Sequence, residues 1–121
     1  MKTMKNIPSP DQALSFYAYC QKWQVLLGLM DWRIVLIDRL AKEAMACVTF
    51  DDDARMAVLR LGDWGAHTIT DEALESTAIH ELLHILLHDL VVDNKGEASG
   101  MLEHRVINVL EKLLSTKDPD A

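Results

Sequence analysis

The chain has 121 residues, half of them apolar and 26% charged, which is enough for one core and too little for two. Its formal net charge of -7 argues against a nucleic-acid backbone as the main ligand, because phosphate binding needs a basic footprint. The two cysteines, Cys20 and Cys47, each lie in an apolar stretch; they make no disulfide framework and read as reduced, buried thiols.

Met1 to Pro10 carries Lys2 and Lys5 but no apolar run, so no secretory signal is expected. The most apolar stretch, Ile79 to Val92, is interrupted by His80, Glu81, His84, His88 and Asp89, so no membrane span is expected either. The cytoplasm is the expected compartment. Ser9-Pro10-Asp11 reads as a helix start: Ser9 can cap, Pro10 fits the first turn, and Asp11 favours the positive end of the helix dipole. Leu14, Tyr17, Ala18, Trp23, Leu26 and Leu27 then suggest one apolar face, with Gly28 as the stop, giving a helix over residues 10–28.

Trp32 to Ile37 is apolar and β-branched and reads as a strand, as do Ala44 to Phe50 and Arg55 to Leu61, the last stopped at Gly62. Asp51-Asp52-Asp53-Ala54 between the last two reads as a hairpin turn; a calcium loop would need the EF-hand spacing with its Gly and Glu, which are missing. Thr70 or Asp71 can cap a helix running to about Leu90, with Glu72 and Glu75 in its first turns. Asn94, Lys95 and Gly96 break the chain. A last helix spans about Ser99 to Leu114, and Ser115 to Ala121 reads as a polar tail. Helix, three strands, helix, helix predicts an α+β domain over residues 1–121. Its ordered core is 10–115, with a small, mainly antiparallel three-stranded sheet and helices on one face.

The chemistry concentrates in His80-Glu81-Leu82-Leu83-His84. Histidines at i and i+4 share one helix face, so both imidazoles can reach one zinc ion at roughly 2.0–2.1 Å. Glu81 lies about 100° round the helix from His80, beside the metal, where it can take a proton from a water that the metal activates. A catalytic zinc takes a third protein ligand. His88 lies about 12 Å along the axis from His80, too far to share the ion without breaking the helix, and reads as a residue of the rim. In the last helix Val106, Ile107, Leu110, Leu113 and Leu114 form the apolar face, and Glu103 falls on it. A carboxylate aimed at a core needs a partner, and zinc supplies one, so Glu103 is the preferred third ligand. His104 points more to the side, with Asn108 and Glu111, and is the reserve. His67, in the loop before the metal helix, can line the site.

At this point the chain resembles a family. His80-Glu81-Leu82-Leu83-His84, a short connection, and then Glu103-His104-Arg105-Val106-Ile107-Asn108-Val109-Leu110 look like the compact gluzincins, zinc metallopeptidases that include small phage and prophage members. Asp31-Trp32-Arg33-Ile34 and the hairpin upstream fit as well, so the resemblance covers residues 10–115. It implies a minimal zincin-like core and one zinc per chain held by His80, His84 and Glu103. Glu81 would be the general base, a peptide or protein the substrate, and an edge strand could dock an extended peptide. His104, His67 and Arg105 are candidates for stabilising the oxyanion. Two readings compete with peptide hydrolysis. One is a non-catalytic fold in which zinc ties two helices together, the fourth ligand coming from His88, His104 or His67. The other is a zinc endoribonuclease with a histidine-rich helix, although His88 follows His84 too soon for that pattern and the chain is acidic.

Overall fold

The computed structural model describes the backbone of residues 5–93 and 97–115, and the side chains of 5–88 and 103–114. The predicted break at Asn94, Lys95 and Gly96 lies outside the described residues, as does the tail from residue 116 onward. The elements are α1 (Pro10–Leu26), β1 (Arg33–Leu36), β2 (Ala46–Asp51), β3 (Met56–Leu61), α2 (Asp71–Asp93) and α3 (Glu97–Ser115). This is an α+β arrangement of three helices and one small sheet. No helix among the described residues is long and apolar enough to cross a membrane.

α1 begins with a capping box. Ser9 Oγ accepts from the Gln12 amide at 3.2 Å, and Gln12 Oε1 accepts from the Ser9 amide at 2.8 Å, so two otherwise orphaned N–H groups are satisfied. At the other end Gly28, at φ +71, takes the left-handed turn that stops the helix. The buried face differs from the expected one. Phe16 and Cys20 are the fully buried residues of the helix, continued by the partly buried Trp23 and Leu27, whereas Leu14 is 69% exposed and Leu26 also faces water. The i, i+4, i+7 series from Phe16 meets α2, and the more obvious leucines lie off that stripe.

The sheet is mixed and not mainly antiparallel. Its order is β1-β3-β2, with β2 antiparallel to β3 (Val48 opposite Leu59) and β1 parallel to β3 (Val35 opposite Val58). The hairpin places β2 beside β3, as its short aspartate turn requires. Asp51 Oδ1 accepts from the Ala54 amide at 3.2 Å, and Arg55 closes the turn at φ +49. The connection over residues 37–45 is long enough to carry the chain across the sheet, so β3 enters between β1 and β2. Central β3 alternates, with Ala57, Leu59 and Leu61 buried. Gly62 ends it where the backbone passes so close to Ala44 that a Cβ would lie 2.0 Å from the Ala44 carbonyl oxygen.

α2 starts at Thr70, whose Oγ1 accepts from the Ala73 amide at 3.1 Å. The helix is covered from several sides: by α1, by β2 and by α3. Phe16, Trp32, Leu59, Trp64, Leu74, Leu82 and Ile85 belong to the main core between α1, the sheet and α2. Ile79, Leu83 and Ile107 form a smaller cluster between α2 and α3. On α3 the buried stripe is Ile107 with Leu110 and Leu114 at its margins; Val106 and Leu113, expected on the same face, are exposed. Of the two cysteines, Cys20 is buried and Cys47 half-buried, and both are free thiols.

The assignment of the α1 face can be measured. Phe16→Ala should lower the unfolding free energy by about 3–5 kcal/mol. Leu14→Ala should change it by less than about 0.5 kcal/mol. Equal losses in urea titrations of the two variants would show that the helix is rotated from this position.

Candidate metal centre

α2 and α3 pack side by side, and this juxtaposition builds the site. His80 and His84 are one turn apart on α2, with ring centroids separated by 5.1 Å. His104 of α3 comes against them, its ring 5.0 Å from that of His84 and 6.4 Å from that of His80. One ring nitrogen from each of the three lies within 4.8 Å of the other two. Among the described residues this is the one group of three side chains so arranged to hold a metal ion.

The second ring nitrogens decide which atoms face inward. His80 Nδ1 lies 2.6 Å from Glu111 Oε1, and His84 Nδ1 lies 3.0 Å from Glu103 Oε2. A carboxylate only accepts, so each Nδ1 carries the proton and donates it, leaving the Nε2 lone pair of each ring for a ligand. Histidines that hold zinc make this same outward hydrogen bond. Burial lowers the His84 pKa, against the opposing pull of Glu103, and the rings of His80 and His104 lower it further. The neutral form, the one that can ligate, is therefore favoured. The nitrogens of a tetrahedral zinc shell stand about 3.4 Å apart, so closure asks the rings for movement of about an ångström. Three imidazoles within that reach, two of them already oriented by carboxylates, fit the ion.

Glu103, the preferred third ligand from the sequence, thus stands behind His84 with 13% of its side chain exposed, and His104 supplies the third ring. Glu111 and Ser76, neither of them a site candidate from the sequence, complete the surroundings of His80: Ser76 Oγ donates to Glu111 Oε2 at 2.7 Å. The signal was present in the period of α3: residues 104, 108 and 111 share a stripe, and that stripe borders α2.

Glu81 is 6% exposed. Burial pushes its carboxyl up to about 7; the Glu111 charge pushes the same way and His80 opposes. The Cys20 thiol on α1 is raised by burial and then by the Glu81 charge. His88 belongs elsewhere. Its ring stacks on Phe50 at 3.7 Å, meets the edge of Trp32 at 5.7 Å, and bonds Asp52 at 2.6 Å, fastening the hairpin turn to α2. His67 is exposed in the loop before α2, where its carbonyl accepts from Asn6 Nδ2 at 2.7 Å, and it takes no part in the histidine group. Arg105 is exposed on α3. No family model matches the chain, and neither a curated protein nor a solved structure does.

The burial of Glu81 has a consequence for stability in the metal-free protein. Its folded pKa, about 7, lies above the ordinary 4.5. Between those values the folded state holds a proton that the unfolded state has released, so the Glu81 contribution is present at low pH and is lost as pH rises towards 7. Glu81→Gln removes that loss. The stability gained by the variant over wild type should therefore grow from pH 4.5 to 7, measured by urea unfolding with chelator present. A difference that stays flat with pH would mean that Glu81 titrates normally.

Proposed function

We propose that this chain is a zinc-dependent hydrolase of peptide bonds, with the metal held by His80, His84 and His104 and with Glu81 as general base. One observation carries the reading. Three imidazoles from two helices converge with their ligating nitrogens within reach of one ion, and a buried carboxylate directly follows the first of them. Three protein ligands leave a position for water, the pattern of catalytic zinc. This assigns Glu103 the task of orienting His84, in place of the direct ligation that the family resemblance implied.

When bound, zinc supplies a Lewis acid that lowers the pKa of a water to about 7 and polarises the scissile carbonyl. The remaining work falls to residues of the chain. Burial raises the Glu81 carboxyl to about 7, and a dication bound nearby would favour its carboxylate, the form a base needs. It accepts the proton of the attacking water and returns it to the leaving amine. Glu103 and Glu111 hold His84 and His80 in their tautomers. β2 is an edge strand, antiparallel to β3 and packed against α2 through Phe50, so its outer backbone groups suit an extended peptide added to the sheet.

The small apolar contact between α2 and α3 favours a second reading, a zinc that ties the helices together without catalysis. That reading needs a fourth protein ligand beyond His80, His84 and His104, and it gives Glu81 no part in chemistry.

Protein loaded with zinc and dialysed should retain about one ion per chain, since there is one such group of histidines. His80→Ala and His84→Ala should each abolish retention. His104→Ala should weaken it more than Glu103→Ala, which should cost about 10–100-fold in affinity. The reverse ranking, by competition with a chromophoric chelator, would return Glu103 to the ligand shell.

Glu81→Gln should keep the zinc and the fold and lose cleavage of a peptide library by a factor of about 10² or more. Wild type that binds zinc and cleaves nothing would leave the tie between helices as the better reading. Cleavage undiminished in the variant would remove Glu81 from the chemistry.

A further inference from the structure

Glu111 is held unusually well for a surface-helix carboxylate. Both of its oxygens are committed to α2: Oε1 to His80 Nδ1 at 2.6 Å and Oε2 to Ser76 Oγ at 2.7 Å. Ser76 and His80 are one turn apart on α2, so the helix that carries the metal-facing ring also grips the carboxylate that steers it. Only about a quarter of either the His80 or the Glu111 side chain is exposed, so water competes weakly for these bonds. The Ser76 hydroxyl fixes the carboxylate plane. The carboxylate then fixes the ring about its Cβ–Cγ bond and keeps the proton on Nδ1.

We propose that Glu111, locked by Ser76, is the positioning residue for His80, setting the direction of its Nε2 and raising its basicity towards a divalent zinc ion. The proposal rests on the assignment of His80, His84 and His104 as the zinc ligands. Glu111 lies outside the group of three that converges to hold an ion, and each of its oxygens already accepts from α2, so it acts through His80. Two features separate this from a simple packing role. The negative charge on Glu111 makes the imidazole a stronger donor. A neutral amide of the same shape retains the contact and loses that effect.

The test uses the full chain, stripped of metal by chelator and titrated with zinc against a chromophoric competitor, with cobalt(II) as a spectroscopic substitute. Glu111→Gln should still bind one zinc at saturation, with affinity lowered by about 10–100-fold. Its cobalt absorption bands should move in position and intensity. Ser76→Ala should weaken zinc by a smaller factor in the same direction. In the Glu111→Gln background Ser76→Ala should add little, because the two act as a unit. Circular dichroism of the metal-free variants checks folding, and if Glu111→Gln fails to fold, Ser76→Ala, which removes only a hydroxyl, decides the matter. Wild-type affinity and an unchanged cobalt spectrum in Glu111→Gln would overturn the positioning role while leaving the three-histidine site standing. Failure of the wild-type chain to bind zinc at all would overturn both.

Discussion

The constraint on which the rest of this structure depends is that α2 is apolar on almost every side. Leu74, Ala78, Ile79, Leu82, Leu83 and Ile85 are all buried, and no single neighbour can cover them. α1 and the sheet take one part of the circumference and α3 another. Covering the helix this way also encloses its polar residues, and an enclosed polar group costs free energy unless it is paired. The covering elements supply the partners: Asp52 from the hairpin for His88, Glu103 from α3 for His84, and Glu111 from α3 for His80. Glu81 is the exception. Burial and charge set its pKa, with no hydrogen bond from a described residue to offset them. A carboxyl whose pKa is raised by burial stands apart from the paired polar groups of this helix, and groups perturbed in this way concentrate where chemistry is done.

Much of the fold was legible in the residues, because the local signals were strong. Ser9-Pro10 opened α1 where a capping residue and a first-turn proline should, Gly28 closed it, and the aspartate triplet formed the turn of an antiparallel hairpin. What failed was non-local. The parallel pairing of β1 with β3 depends on how residues 37–45 cross the sheet, and nothing in the pattern of β1 itself distinguishes one neighbour from the other. The buried face of α1 is likewise set from outside the helix. Leu14 and Leu26 are as apolar as Phe16, and only the position of α2 selects among the possible stripes.

The candidate site shows the same division. His80, Glu81 and His84 are fixed relative to one another by helix geometry alone, so their spacing could be read directly. The contribution of α3 depends on how that helix is rotated against α2. Glu103 and His104 are adjacent, about 100° apart around the axis, and a rotation of that size exchanges their roles. Counting all five apolar residues of α3 as one face shifts its centre towards Val106 and Leu113. The observed contact runs through Ile107, Leu110 and Leu114. With Ile107 at the centre, Glu103 and Glu111 lie one turn to either side of it and meet the imidazoles, and His104 is brought to the mouth of the group.

If the histidine group holds an ion, this arrangement resolves a conflict between docking the helices and ligating the metal. The surfaces have to hold together before the ion arrives, yet the groups that hold them must not be the ones the ion needs. Here the two tasks fall on opposite nitrogens of the same rings. Nδ1 of His80 and of His84 binds α3 through a carboxylate, while Nε2 of each remains available. Docking of α3 therefore selects the tautomer suited to ligation and costs the site none of its donors. Burial lowers the pKa of His84 and keeps its Nε2 free of a proton, so the apolar packing that joins the helices also prepares the nitrogen. His104 is exposed and unburdened by such a clamp among the described contacts, which leaves it the most adjustable of the three rings. A divalent ion entering this group would meet two rings already aimed and one able to swing, and the entropy lost on binding would fall mainly on His104.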